Sequence, residues 1–213
     1  MGSCAEERED PELITSTYYP LLIGNYWDYS VDETIYFGEE DFETENYFFR
    51  DEIADFYLND AKELVYLVHR KKSTDRNAWE NEQVYTLTLS NNRIIKNYNN
   101  QQKILLVYPL SQDFSWNGNA LNNEVEESYF VESTGSYILD QFAFPAAVKV
   151  RINEEDDLIT IRDNRYEVYA NNIGLVESYY EVFRYCSRND CLGEQIIQEG
   201  RFTHLRLINY GKL

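Results

Sequence analysis

The stretch LVESYYEVFRY, residues 175–185, sets the fold. In an extended chain Leu175, Tyr179 and Phe183 fall on one face while Val176, Tyr180 and Val182 fall on the other, so both faces carry large apolar or aromatic side chains. Such a strand must be covered twice, by a packed helix or by a sheet that curls on itself. The only reasonable helix candidates lie within residues 47–58 and 119–130. The expectation is therefore an all-β, mainly antiparallel protein built as a strongly curved sheet or barrel-like architecture, with one or two short helices at most.

Outward from that stretch the same rhythm repeats. Trp27, Tyr29 and Val31 alternate with Tyr26, Asp28 and Ser30, a half-buried strand. Residues 63–70, 84–89, 93–98 and 103–108 read as further strands. Ser90-Asn91-Asn92 and Asn99-Asn100 are turns between them, and Pro109 ends the last because it lacks a ladder donor. Runs at 126–132, 137–144, 147–152, 158–161, 166–170 and 194–210 continue the pattern, the last broken by Gly200. Residues 47–58 are less regular, but Asn59-Asp60 behind them favours a hairpin over a helix. In Trp116-Asn117-Gly118-Asn119 the glycine is expected to take positive φ in a turn. The sum is roughly a dozen short strands with turn residues every eight to twelve positions, as in a sandwich or barrel.

Composition agrees. Nineteen Tyr, eleven Phe and three Trp against nine Gly and four Pro suit extended packing surfaces, and 213 residues are enough for one such domain. A net charge of −19 repels phosphate backbones, so no nucleic-acid partner is expected. No stretch reaches the roughly 18 apolar residues of a membrane-spanning helix.

The chain starts MGSCAEERED. Gly2, Ser3 and Cys4 fit the tail of a bacterial lipoprotein cleavage site, whose cysteine becomes the acylated first residue, with Met1 supplying a start where the signal's apolar stretch has been removed. A myristoylation pattern fails because Glu6 stands where Ser or Thr is required. The acidic run after Cys4 reads as a flexible tether and resembles the surface-export signal of Bacteroidetes lipoproteins. Residues 1–12 are thus assigned to lipidation site and tether, and 13–213 to a single antiparallel β domain.

Cys186 and Cys191 are separated by four turn-forming residues at a strand end, a spacing that suits a disulfide and an oxidising compartment. A metal pair is the alternative, but structural zinc needs about four ligands, and the only histidines are His69 and His204.

Several motifs carry a family likeness: Tyr19-Pro20-Leu21 with Gly24-Asn25-Tyr26-Trp27, Tyr108-Pro109-Leu110 with Trp116-Asn117-Gly118-Asn119, Tyr169-Ala170 with Ile173-Gly174-Leu175-Val176, then the Cys186 to Cys191 loop and Glu199-Gly200. In this order they resemble a family of Bacteroidetes lipoproteins without an assigned activity. The resemblance implies a secreted, lipid-anchored, mainly antiparallel β domain, and it supplies no catalytic residues.

Reactive motifs are scarce. There is no Gly-x-Ser-x-Gly elbow and no phosphate-cradling glycine loop. Glu154-Glu155-Asp156-Asp157 lacks the spacing of a calcium loop and reads as a solvent-facing turn. No catalytic residue, metal or cofactor is therefore expected. The reading is a non-enzymatic ligand- or partner-binding β domain at the cell envelope, anchored to the outer membrane through Cys4 and facing periplasm or cell surface. Its partner is an unknown small ligand or envelope protein. An apolar ligand in a curved sheet is the specific version; carbohydrate binding by the tyrosines is the alternative, and a hydrolase the least favoured.

Overall fold

The computed structural model describes residues 17–213, so Cys4 and the tether lie outside the described residues. Twelve strands follow one another: β1 (Asn25–Tyr36), β2 (Phe42–Leu58), β3 (Leu64–Ser73), β4 (Glu80–Ser90), β5 (Arg93–Tyr98), β6 (Gln101–Val107), β7 (Ser115–Asn117), β8 (Ser128–Leu139), β9 (Phe142–Asp156), β10 (Ile161–Ala170), β11 (Gly174–Tyr185) and β12 (Ile197–Lys212). Among the described residues there is no helix. The two helix candidates are corrected accordingly: 47–58 is the second half of β2, and 119–130 is a series of turns running into β8.

The irregularity of 47–58 has a physical source. The β2–β3 register shifts between Ile53 and Asp55, so one extra residue interrupts the alternation that would have announced a strand.

All strands form a single antiparallel sheet in the order β6-β5-β4-β3-β2-β1-β12-β11-β10-β9-β8-β7. Every neighbour is also a sequence neighbour except β1 and β12, which pair from Asn25↔Lys212 to Tyr36↔Gly200 and join the two ends of the chain in mid-sheet. The tight turns follow from the sequence: Asn91 and Asn92 have φ of 48° and 64°, Asn99 and Asn100 of 50° and 61°, the doubly left-handed geometry that asparagine tolerates in two-residue hairpins.

The sheet curls until its edges meet. The Ile104 amide donates to the Gly118 carbonyl at 2.9 Å, and the Trp116 indole N–H donates to the Ile104 carbonyl at 3.0 Å. These bonds join β6 to the end of β7 and nearly close a barrel. Gly118 is needed here for space rather than for positive φ, which corrects the turn expectation: a Cβ at that position would lie 2.6 Å from the Tyr129 ring.

Alternation then divides the side chains. The outer wall carries ion pairs between neighbouring strands, Arg50 with Asp28 at 2.6 Å, Arg206 with Asp32 at 2.5 Å and Lys71 with Glu52 at 2.9 Å. A membrane-spanning barrel presents an apolar band outward, so this wall is built to face water. The packed core occupies the inside of one end, where residues 17–24 fold in and seat Tyr19 between Trp27 (5.7 Å) and Tyr169 (6.0 Å). The Trp27 indole donates to the Ile173 carbonyl and the Tyr29 hydroxyl to the Leu175 carbonyl at 3.1 Å, tying β1 to the start of β11 across the interior.

Because Tyr129 is buried and held at the seam, Gly118→Ala is expected to cost about 1–3 kcal/mol in urea denaturation by overpacking. Gly38→Ala, with only the Asp41 Cβ at 3.6 Å, is expected to stay within about 0.5 kcal/mol of the parent. Equal stability of both variants would remove the closure argument.

Candidate functional site

At the end opposite the core the barrel is not filled. Two adjoining compartments, of about 290 and 590 Å³, share Tyr98, Ser178 and Tyr180 as lining residues. Tyr98 and Tyr180 belong to that lining and yet are each 39% exposed, so the lumen there is open to solvent. The disulfide loop, Cys186 to Cys191 with Cα atoms 5.8 Å apart, follows the C-terminal end of β11 and stands at the rim of this mouth.

The floor is an ion pair. Asp51 on β2, 1% exposed, accepts both the Nε and Nη2 hydrogens of Arg70 on β3 at 2.6 Å and the Tyr85 hydroxyl from β4 at 2.9 Å. The register places Asp51 directly opposite Arg70, with the Arg70 guanidinium 4.6 Å from the Phe49 ring centroid. Burial raises the phenols of Tyr29, Tyr85 and Tyr169, which keeps them protonated as donors.

Above the floor the lining mixes rings with fixed polar groups. Glu33 on β1 accepts Arg201 Nε at 2.7 Å from β12 and the Tyr47 hydroxyl at 3.3 Å from β2. Lys72 lies 3.9 Å from the Tyr47 ring centroid and donates to Glu45 at 3.1 Å. Gln83, Ser178 and Thr203 supply neutral hydrogen-bonding groups in the same compartment. In the smaller one, Arg165 is fully engaged, with Nε and Nη2 on Asp163 (2.6 and 2.7 Å) and Nη1 on Glu127 (2.5 Å).

Lys96 on β5 differs from these cations. Its Nζ lies 4.2 Å from the Tyr85 ring centroid, and among the described residues no carboxylate comes within ion-pair distance. Burial, with repulsion from Arg70 and Lys103 and partial relief from Asp51 and Glu167, brings its ammonium down from 10.5 to about 8.

The sequence candidates are scattered. His69 lies on the outer face of β3, since its neighbour Arg70 points inward. His204 is on the outer wall, where its Nε2 lies 2.7 Å from Glu177 Oε1. Glu177 also accepts the hydroxyls of Tyr166 at 3.2 Å and of Tyr137. Burial pushes that carboxyl up, but the bonds from His204, Tyr137 and Tyr166 outweigh it and hold Glu177 below its ordinary value. Of the acidic run, Asp156 pairs with Arg162 at 2.8 Å, while Asp157 accepts the Ile159, Thr160 and Ile161 amides and closes the turn between β9 and β10. Their oxygens are thus used within the chain. Among the described residues no group of three His, Cys, Asp or Glu side chains is placed to hold a metal ion. The residues that sequence reasoning missed are Arg70, Lys96 and Lys103, because inward direction depends on register and bulges that composition does not reveal.

No family model and no curated protein matches this chain. Similar solved structures include a candidate exported protein with a YmcC-like fold from Bacteroides fragilis, 13% identical with a TM-score of 0.48, covering 91% of this chain and 98% of that one. Another is a candidate lipoprotein from Parabacteroides distasonis, 10% identical with a TM-score of 0.47, covering 92% and 98%.

Removing one partner of the floor pair strands a buried charge. Arg70→Met is expected to lose about 3–5 kcal/mol, with Asp51→Asn/Arg70→Met losing clearly less, as chemical denaturation would register. Equal losses would mean that Asp51 and Arg70 are not coupled.

The unfolded chain holds the Lys96 proton more tightly than the folded one, so the penalty this group places on folding at low pH is relieved progressively as pH rises from about 8 to 10.5. Lys96→Met is expected to be at least as stable as the parent at pH 7, with the parent gaining on it between pH 8 and 10. A stability difference that stays constant with pH would contradict this.

Proposed function

We propose that the protein is a non-catalytic binding module for an oligosaccharide, tethered at the cell envelope through Cys4 and taking its ligand at the open mouth of the barrel. The observation that carries this reading is the lining of the larger compartment, where the rings of Tyr47, Phe49, Tyr98 and Tyr180 stand among Gln83, Ser178 and Thr203. Flat rings offer faces to the C–H side of a sugar, and fixed amides and hydroxyls answer its hydroxyl groups. An apolar ligand would leave Glu33, Arg70 and Arg201 desolvated without new partners, at a cost that a hydrocarbon chain does not repay. The lining therefore favours a sugar over a lipid.

Two features support a binding role over a hydrolytic one. Among the described residues the lining of the lumen contains neither histidine, and His204, which is hydrogen-bonded to a carboxylate, sits outside with Glu177 held by two tyrosines. The address rests on Gly2-Ser3-Cys4 and on a Cys186–Cys191 disulfide suited to an oxidising compartment.

An oligosaccharide array followed by calorimetry tests the reading. Binding of at least one oligosaccharide is expected, weakened roughly tenfold or more by Tyr180→Ala or Tyr98→Ala. Uptake of a fatty acid with no oligosaccharide bound would overturn it, as would sugar binding that both substitutions leave intact.

A further inference from the structure

Lys96 and Lys103 are direct register partners on β5 and β6, and both line the smaller compartment of the lumen. Like charges directly opposite one another on paired strands are destabilising. Elsewhere in the lumen the protein avoids this by pairing: Arg70 with Asp51, Arg201 with Glu33 and Arg165 with Asp163 and Glu127. Lys96 is not relieved in that way, and Lys103 only by a longer contact. Among the described residues Lys96 has an aromatic face and no carboxylate, while Lys103 lies 3.5 Å from Glu127 Oε2, beyond normal hydrogen-bond length, the other oxygen of Glu127 being taken by Arg165.

Most of the nearby carboxylate oxygens are engaged, Glu127 Oε2 beside Lys103 being an exception. Asp51 is taken by Arg70 and Tyr85, Glu167 accepts the Tyr169 hydroxyl, and Asp163 takes the Arg165 fork. Two ammonium groups thus share a solvent-connected cavity of about 290 Å³, and among the described residues Lys96 has no anion of its own while Lys103 has only the Glu127 contact. This occurs in a chain with 38 acids and 19 bases, where supplying a carboxylate would be the common solution.

We propose that this cavity receives an anionic substituent of the sugar, a carboxylate or phosphate, held between Lys96 and Lys103. The proposal deepens the oligosaccharide reading and rests on it for the remainder of the ligand. The Tyr98 and Tyr180 rings, which border both compartments, would then seat the sugar ring to which the charged group is attached. Charge-assisted contacts of this kind contribute more than neutral ones, so the charged substituent selects acidic over neutral sugars. The groups facing Lys96 are Tyr85 on β4, Arg70 on β3, Asp51 on β2, Glu167 on β10 and Lys103 on β6, and of these Lys103 has the longest ion-pair contact, 3.5 Å to Glu127.

The test is calorimetric titration of the whole chain at pH 7 with uronic-acid oligosaccharides of the glucose, galactose and mannose series, each beside its carboxyl-reduced counterpart, and with inorganic phosphate. An acidic member is expected to bind at least about tenfold more tightly than its reduced form. Lys96→Met should erase that difference, Lys103→Met should reduce it, and Lys96→Arg should retain most of it. Because Lys96 loses its proton near pH 8, the preference should also decline between pH 7 and 9. Melting curves confirm that each variant is folded. If reduced and acidic sugars bind alike and Lys96→Met changes neither, the inference is overturned and the oligosaccharide reading stands. If phosphate binds in a Lys96-dependent way while no sugar does, the anion site stands and the oligosaccharide reading falls. If no probe binds, both fall.

Discussion

A barrel wall of twelve strands encloses more room than its own aliphatic side chains occupy. Eight strands give an interior that inward side chains just fill, and width grows with strand number. This chain meets the excess in two ways. At one end it folds residues 17–24 inward and packs Tyr19, Trp27, Tyr29 and Tyr169 across the gap. At the other end it leaves the gap open. The tyrosine-rich composition follows from the same constraint, since a tyrosine reaches far into a wide interior and still needs a partner for its hydroxyl.

Those partners explain why acids lie so deep in the barrel. Asp51 serves Tyr85 and Arg70, Glu33 serves Tyr47 and Arg201, and Glu167 serves Tyr169. Asp51 and Glu33 therefore close contacts between different strands, while Glu167 and Tyr169 lie on the same strand, and all three hold side chains that face a wide lumen. The result is a rigid polar floor beneath an open mouth, a setting in which a ligand loses little to reorganisation. The outer wall uses the same chemistry around Glu177, which gathers His204, Tyr166 and Tyr137 from three other strands.

The fold class was legible from local pattern. Two-sided strands such as residues 175–185 demand closure, and Asn91-Asn92 and Asn99-Asn100 mark their hairpins without ambiguity. Boundaries were lost where the ladder is irregular. The β8–β9 register shifts near Val131 and again near Gly135, so runs read as three strands at 126–132, 137–144 and 147–152 are two, turning at Asp140. Residues 158–161, read as a strand, are mostly the turn that Asp157 caps. The site was scarcely legible. Histidines drew attention because their chemistry is local, whereas Lys96 matters through the lysine opposite it and through the carboxylates that neighbouring strands do not offer. A single sequence carries neither relation on its face.

The central claim is that one half of the barrel is packed and the other is open to solvent, and thiol accessibility reads this directly. With Cys4 replaced by Ser, Ser178→Cys places a thiol between the two compartments and Val31→Cys places one in the packed half. The account predicts that a charged methanethiosulfonate modifies the first in the native protein at a rate near that of an exposed thiol and leaves the second untouched until unfolding. Equal protection of both would contradict it.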